Sequence, residues 1–190
     1  SSEGYNNKLH VLPDTLTKDV VEFSPEYLAD KINRRSVSII NSPIIHEKKL
    51  TIPENRKIYI TDDTTGLSEA IAEQFALLNI DAELVSNAKF SHVAKGDEVL
   101  NNAAGLVIVS GNEKYDEIRF LKDAFAMTKH LAKNLLDSAA QGGSLFATIT
   151  RLDGAFGFKG KGIANPLQGG LAGLPKTASL EWENVCCHAI

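Results

Sequence analysis

The residues with the most chemical potential lie in one turn, Thr61-Asp62-Asp63-Thr64-Thr65-Gly66-Leu67-Ser68. A short β-rich run precedes this turn and a helical pattern follows it. A turn in that setting cradles a phosphate when glycines let the backbone approach the anion and no negative charge stands nearby. Here one glycine, Gly66, remains, and Asp62 and Asp63 place two carboxylates where the anion would sit. Paired carboxylates suit Mg²⁺ or Ca²⁺. Their simpler role is to cap the start of the next helix, where negative charge is favourable.

Other chemistry-bearing residues have plainer readings. The loop Gly154–Gly162 carries four glycines and two lysines and could take a phosphate, but it lacks a Walker pattern and reads as a surface connection. Cys186 and Cys187 are adjacent in an apparent strand, so their side chains point to opposite faces, which argues against a disulfide. Buried packing is the expectation for both, although His188 could serve one of them as a base. His10, His46, His92, His130 and His188 show no metal-ligand spacing. Lys176 and Glu181 read as surface residues of a late helix, and Trp182 as packing at its end.

The elements that must position these residues follow from periodicity. Lys57–Thr61 reads as a strand. Leu67, Ala70, Ile71, Gln74, Phe75 and Leu78 recur at helical steps, and Asp81–Ser86 alternates as a second strand. Together they form the opening βαβ unit of a dinucleotide-binding fold. Asn87–Asn102 is polar and irregular, with one helical turn near Lys95–Leu100. Gly105–Val109 is a continuous apolar run, as in a strand buried on both faces. Glu113–Ala140 is the longest helical segment, with Ile118, Leu121, Phe125, Thr128, Leu131, Leu135 and Leu136 as its expected buried stripe. Gly142-Gly143 ends it, Ser144–Thr150 supplies a strand, a helix runs from about Gly169 to Trp182, and a last strand starts near Val185.

This alternation predicts an α/β fold: a doubly wound, mainly parallel Rossmann-like sheet of five or six strands with helices on both faces. Residues 1–50 read as an N-terminal linker or extension and 51–190 as the domain, cut short at its last strand. Within the extension, Ser1–Lys8 is a polar tail, Val20, Val21 and Phe23 suggest a strand, Ser24-Pro25 a helix start, and Val37–Ile40 another strand.

Composition narrows the partners. A 190-residue chain that is 43% apolar can bury a core, and a net charge of −4 argues against nucleic acid. No apolar run approaches the ~20 residues of a membrane span, and no signal peptide is visible at the start. Two cysteines without a disulfide pattern give a cytoplasmic expectation. The sequence has no initiating Met and stops inside an apparent strand, so a piece of a longer polypeptide is expected.

The block Asn165-Pro166-Leu167-Gln168-Gly169-Gly170-Leu171-Ala172-Gly173-Leu174-Pro175-Lys176-Thr177-Ala178-Ser179-Leu180-Glu181-Trp182 resembles the ketoreductase regions of multidomain polyketide and polyunsaturated-fatty-acid synthases. It looks most like their N-terminal structural half, a degenerate short-chain-dehydrogenase-like subdomain, and Ile60-Thr61-Asp62-Asp63 supports the likeness, which covers roughly Arg56 to Ile190. The resemblance implies a non-catalytic subdomain docked against a catalytic half of the same polypeptide. That half would bind NADPH and reduce β-ketoacyl chains carried on the phosphopantetheine of acyl carrier domains. An active dehydrogenase of this class has Thr-Gly-x-x-x-Gly-x-Gly after its first strand. The glycine positions here read Asp62, Gly66 and Ser68. The catalytic tyrosine and lysine positions fall on Ala164 and Gln168, and neither a methyl group nor a neutral amide can do their work. Near the expected catalytic serine stand Thr148 and Thr150, and the nearest tyrosine is Tyr115. Asn101-Asn102-Ala103-Ala104-Gly105 resembles the Asn-Asn-Ala-Gly motif but precedes its strand, and Ser110-Gly111-Asn112 occupies the expected place. The chain itself is therefore expected to bind no cofactor and no metal and to have no catalytic residues. The alternatives are an atypical dehydrogenase with a non-standard ligand at Asp62–Ser68, or a stand-alone protein-interaction module.

Overall fold

The computed structural model describes residues 50–111, 116–152, 154 and 165–190. The expected strands at Val20–Phe23 and Val37–Ile40, the Ser24-Pro25 helix start, Tyr115, Asn112, Ala164 and all but Gly154 of the glycine-rich loop lie outside the described residues. The elements run β1 Lys57–Thr61, α1 Leu67–Leu77, β2 Ala82–Val85, α2 Asn87–Lys95, β3 Ala103–Val109, α3 Glu117–Gln141, β4 Leu145–Ile149, α4 Gln168–Glu181 and β5 Cys186–Ala189.

The five strands form one sheet in the order β2-β1-β3-β4-β5, and every pairing is parallel. The chain winds outward from β1 to β2, then crosses back to place β3 on the other side of β1. This reversal makes the carboxyl ends of β1 and β3 the topological switch point, where open α/β sheets hold ligands. The order 2-1-3-4-5 is one of the two common doubly wound orders, with its reversal between β1 and β3. Polar Asn87–Lys95 forms a helix, α2, that leads straight back across the sheet.

Side-chain alternation divides the core between the two faces. Tyr59, Leu106, Ile108 and Phe146 point to the face covered by α2, α3 and α4, where Phe90, Met127, Leu131, Leu135 and Leu171 meet them. Ile58, Ile60, Val107, Val109 and Leu145 point to the other face, against Ile71, Ala72 and Phe75 of α1. β3 is buried along its whole length, which explains its unbroken apolar sequence.

Three sequence expectations change. The segment 87–102 is not irregular: Ser86 caps α2 by accepting the Lys89 N–H at 3.3 Å, and left-handed Gly96 ends the helix. The buried stripe of α3 is Phe120, Ala124, Met127, Thr128, Leu131, Leu135 and Ser138, while Ile118 and Phe125 stand 55% and 60% exposed. Small Ala124 and Ser138 let the helix lie close to the sheet, so the buried face is rotated from the one its largest side chains suggest. Likewise α1 turns Ser68, Ile71, Ala72 and Phe75 inward and leaves Leu67 and Leu78 exposed.

Candidate functional site

The carboxyl ends of β1, β3 and β4 converge on the turn that follows β1. There the backbone must swing from strand to helix within five residues, and Gly66 does so in the left-handed region at φ 92°. A Cβ at Gly66 would meet nothing within 4 Å, so the glycine serves conformation rather than close approach.

Asp63 is wholly buried at this turn. Its Oδ1 accepts the Ser68 N–H at 3.1 Å, in the first turn of α1. Its Oδ2 accepts the Thr65 hydroxyl and, at 2.5 Å, an Nη2–H of Arg151. Ser68 Oγ accepts the Asp63 N–H at 3.1 Å and donates to the Thr61 carbonyl at 2.7 Å, closing the knot from below. Helix N-termini attract anions because their first N–H groups lack partners inside the helix. In this chain the anion is a side chain of the protein.

Arg151 lies just past the end of β4 and reaches across the switch point. Its Nη2 also donates to Thr65 Oγ1 at 2.7 Å and its Nε to the Ser110 carbonyl at 3.1 Å. Its backbone N–H donates to Gln168 Oε1 at 2.5 Å. One side chain and its amide thus tie the ends of β1, β3 and β4 to the start of α4. Burial by itself would push the Asp63 carboxyl up, but the hydrogen bonds from Thr65 and Ser68 outweigh it and hold the group below its ordinary range. The adjacent guanidinium acts in the same direction.

The other expected site residues are dispersed. Asp62 does not cap α1; its Oδ1 accepts the Thr64 N–H at 2.7 Å and closes a local turn. Asp62, Asp63 and Glu69 bring carboxylate oxygens within 4.8 Å of one another, but Asp63 already has Arg151 as its cation. Gln168 opens α4 and holds the Arg151 amide. Thr148 is buried within β4, and Thr150 Oγ1 donates to the Ile190 carbonyl at 3.1 Å. Tyr59 donates to the Asn101 carbonyl at 2.9 Å, at the amino end of β3 and away from the crevice; burial raises its phenol above the usual value.

The cysteines separate as their alternation requires. Cys187 faces the core, and burial pushes its thiol up to about 11. Cys186 is exposed, so the expectation of buried packing is corrected for it. It shares a strand face with His188, two residues on, and its Sγ lies 3.1 Å from His188 Nε2. Trp182 packs on Phe146 with ring centroids 5.6 Å apart.

Sequence reasoning offers no warning of Arg151. The available signal is positional: in a doubly wound sheet, residues just past the ends of the central strands face one another. Asp63 follows β1, Ser110 follows β3 and Arg151 follows β4.

No family model matches the chain, and no curated protein matches it. Among solved structures it is similar to a GDP-L-fucose synthetase from Naegleria fowleri bound to NADP, at 10% identity and a TM-score of 0.46, covering 79% of this chain and 53% of that one. The chain thus spans about half the length of that protein. By strand order, parallel pairing and layered helices, the described part of the chain is a doubly wound, Rossmann-like α/β domain.

Proposed function

We propose that this chain is a non-catalytic structural subdomain that supports the NADPH-dependent ketoreductase half of a multidomain polyketide or polyunsaturated-fatty-acid synthase. The supporting observation is the buried Asp63 carboxylate, paired with half-exposed Arg151 at the N-terminus of α1. A pyrophosphate at the switch point would have to displace Asp63 from the Ser68 N–H or lie beside an uncompensated carboxylate. Both cost more than a normal phosphate cradle recovers, because a buried carboxylate without its cation is strongly destabilising. Gln168 at the lysine position adds a second reason, since it carries no charge and is engaged by Arg151. On this reading the chain holds no NADPH, performs no reduction and resides in the cytoplasm. Residues 1–50 act as an extension, and the main partner is the catalytic half of the same polypeptide.

Co-expression tests the supporting role. The coding sequence beyond Ile190 should encode a second βαβ unit with an intact glycine-rich turn and a Tyr-x-x-x-Lys pair. That half should co-elute one-to-one with this chain and lose reductase activity without it. A catalytic half that is equally active and stable alone, or no such half in the gene, contradicts the proposal.

A further inference from the structure

Strand β5, Cys186–Ala189, ends the sheet, and among the described residues no strand pairs with its outer side. The opposite edge is protected by charge, since Glu83 of β2 is ion-paired with Lys57 and Lys89. Such charges blunt an edge against pairing with another chain. β5 has no lysine, arginine or carboxylate. Its backbone also fixes the register that a second strand could take. Cys186 and Ile190 donate their N–H groups inward, to the Ser144 and Thr148 carbonyls, so strand alternation turns the N–H and C=O of Cys187 and Ala189 outward. Two copies pairing antiparallel about a two-fold axis must therefore centre on one of these outward residues, and Cys187 is the one nearer the middle of the strand. That axis sets Cys186 of each copy directly opposite His188 of the other, in the closely spaced kind of pair that shares no backbone hydrogen bonds.

The side chains brought together are metal ligands. Within one copy Cys186 and His188 are exposed on the same strand face, with Sγ 3.1 Å from Nε2. Tetrahedral Zn²⁺ holds sulfur at about 2.3 Å and nitrogen at about 2.0 Å, which places two such ligands about 3.5 Å apart. One copy thus offers half a site after a small side-chain adjustment. A structural zinc site takes four ligands, and the two-fold axis supplies the other half as a Cys₂His₂ set. Its floor on β4 is apolar, with Leu145 beside Cys186 and Ala147 beside His188. Two thiolates cancel the charge of the ion, so the complete site is neutral, as an apolar setting favours. Each thiol gives its proton to solvent as its sulfur binds the metal. Cys187 faces the core on the other side of the sheet and takes no part. We propose that the β5 edge binds Zn²⁺ between two copies of this chain through Cys186 and His188 of each. This revises the expectation of no metal; it goes beyond the supporting role and does not rest on it.

Sedimentation equilibrium of the full chain at about 50 µM, in a non-thiol reductant, tests the proposal by comparing EDTA with added Zn²⁺. Zn²⁺ should double the mass seen in EDTA and saturate at one ion per two chains, and excess EDTA should reverse the change. Co²⁺ in place of Zn²⁺ should show the visible bands of a tetrahedral, thiolate-bound ion. Cys186→Ser and His188→Ala, both at exposed positions, should each abolish the doubling while leaving the melting temperature in EDTA unchanged. An unchanged mass in Zn²⁺ overturns the inference, as does saturation at one ion per chain without a dimer. A doubling that survives either substitution overturns it too, because another surface would then carry the contact. Loss of the zinc-dependent doubling when the catalytic half is co-expressed would assign the β5 edge to that half; it overturns this inference and leaves the supporting role standing.

Discussion

Asp63 and Arg151 tie down the turn after β1 through a pair whose two ends differ in exposure. The carboxylate is wholly buried and the guanidinium side chain is 41% exposed. Arg151→Met should therefore cost about 3–5 kcal/mol, because it leaves the wholly buried carboxylate without its cation. Asp63→Asn should cost less, about 1–3 kcal/mol by urea denaturation, because water can partly solvate the guanidinium left behind, and the double variant should cost less than the sum of the two. The pair also sets an acid limb. A carboxyl held below its ordinary value stabilises the fold at pH above about 3.9 and loses that contribution as pH falls through the folded value. Wild-type stability should fall below about pH 4 more steeply than that of Asp63→Asn, and equal slopes would remove Asp63 from this role. The two cysteines give a second residue-scale outcome. With its thiol near 11, Cys187 should resist iodoacetamide in the native state at pH 8, while exposed Cys186 should label readily. Equal labelling of the two would mean that Cys187 is not packed as described.

Among the elements, strands were the more legible. β1 and β3 announce themselves by β-branched and apolar runs, and the observed bounds lie within two residues of those expected. Helices were harder, because a helix signals its existence by period but its buried face by phase. In α3, apolar side chains occur on more than one face, and only the sheet beneath decides that Phe120 and Met127 turn inward and Phe125 outward. α2 is short and polar, so its capping residues Ser86 and Gly96 carry more information than its apolar content. Glycines divide at this scale as well. A Cβ at Gly143 would lie 2.0 Å from the Thr51 carbonyl oxygen, whereas one at Gly173, inside α4, would meet nothing within 4 Å. Gly143→Ala should lower stability by about 1–3 kcal/mol, because backbone must move. Gly173→Ala should raise it by about 0.5–1 kcal/mol through helix propensity. Opposite signs in thermal unfolding are the expected result.

At the scale of the whole molecule, the parallel doubly wound architecture was readable from the alternation of elements, and so were the two carboxylates and the single glycine in a turn where a phosphate cradle would need more glycine. What fills the cradle was not readable, because Arg151 stands 88 positions from Asp63 and the two meet only once β4 is placed two strands from β1. A cavity lined in part by Asn87, Ser110 and Gln168 was hidden for the same reason: the three belong to separate βα connections that converge only at the sheet's carboxyl edge. The central claim is that the protein has supplied its own anion at the helix that would otherwise take a pyrophosphate. It is tested most directly by titrating the purified chain with NADPH and following nicotinamide fluorescence together with calorimetric heat. No saturable signal up to about 1 mM ligand is the predicted result; a dissociation constant in the micromolar range, lost on charge-preserving replacement of the turn residue Gly66 by Val, would contradict it.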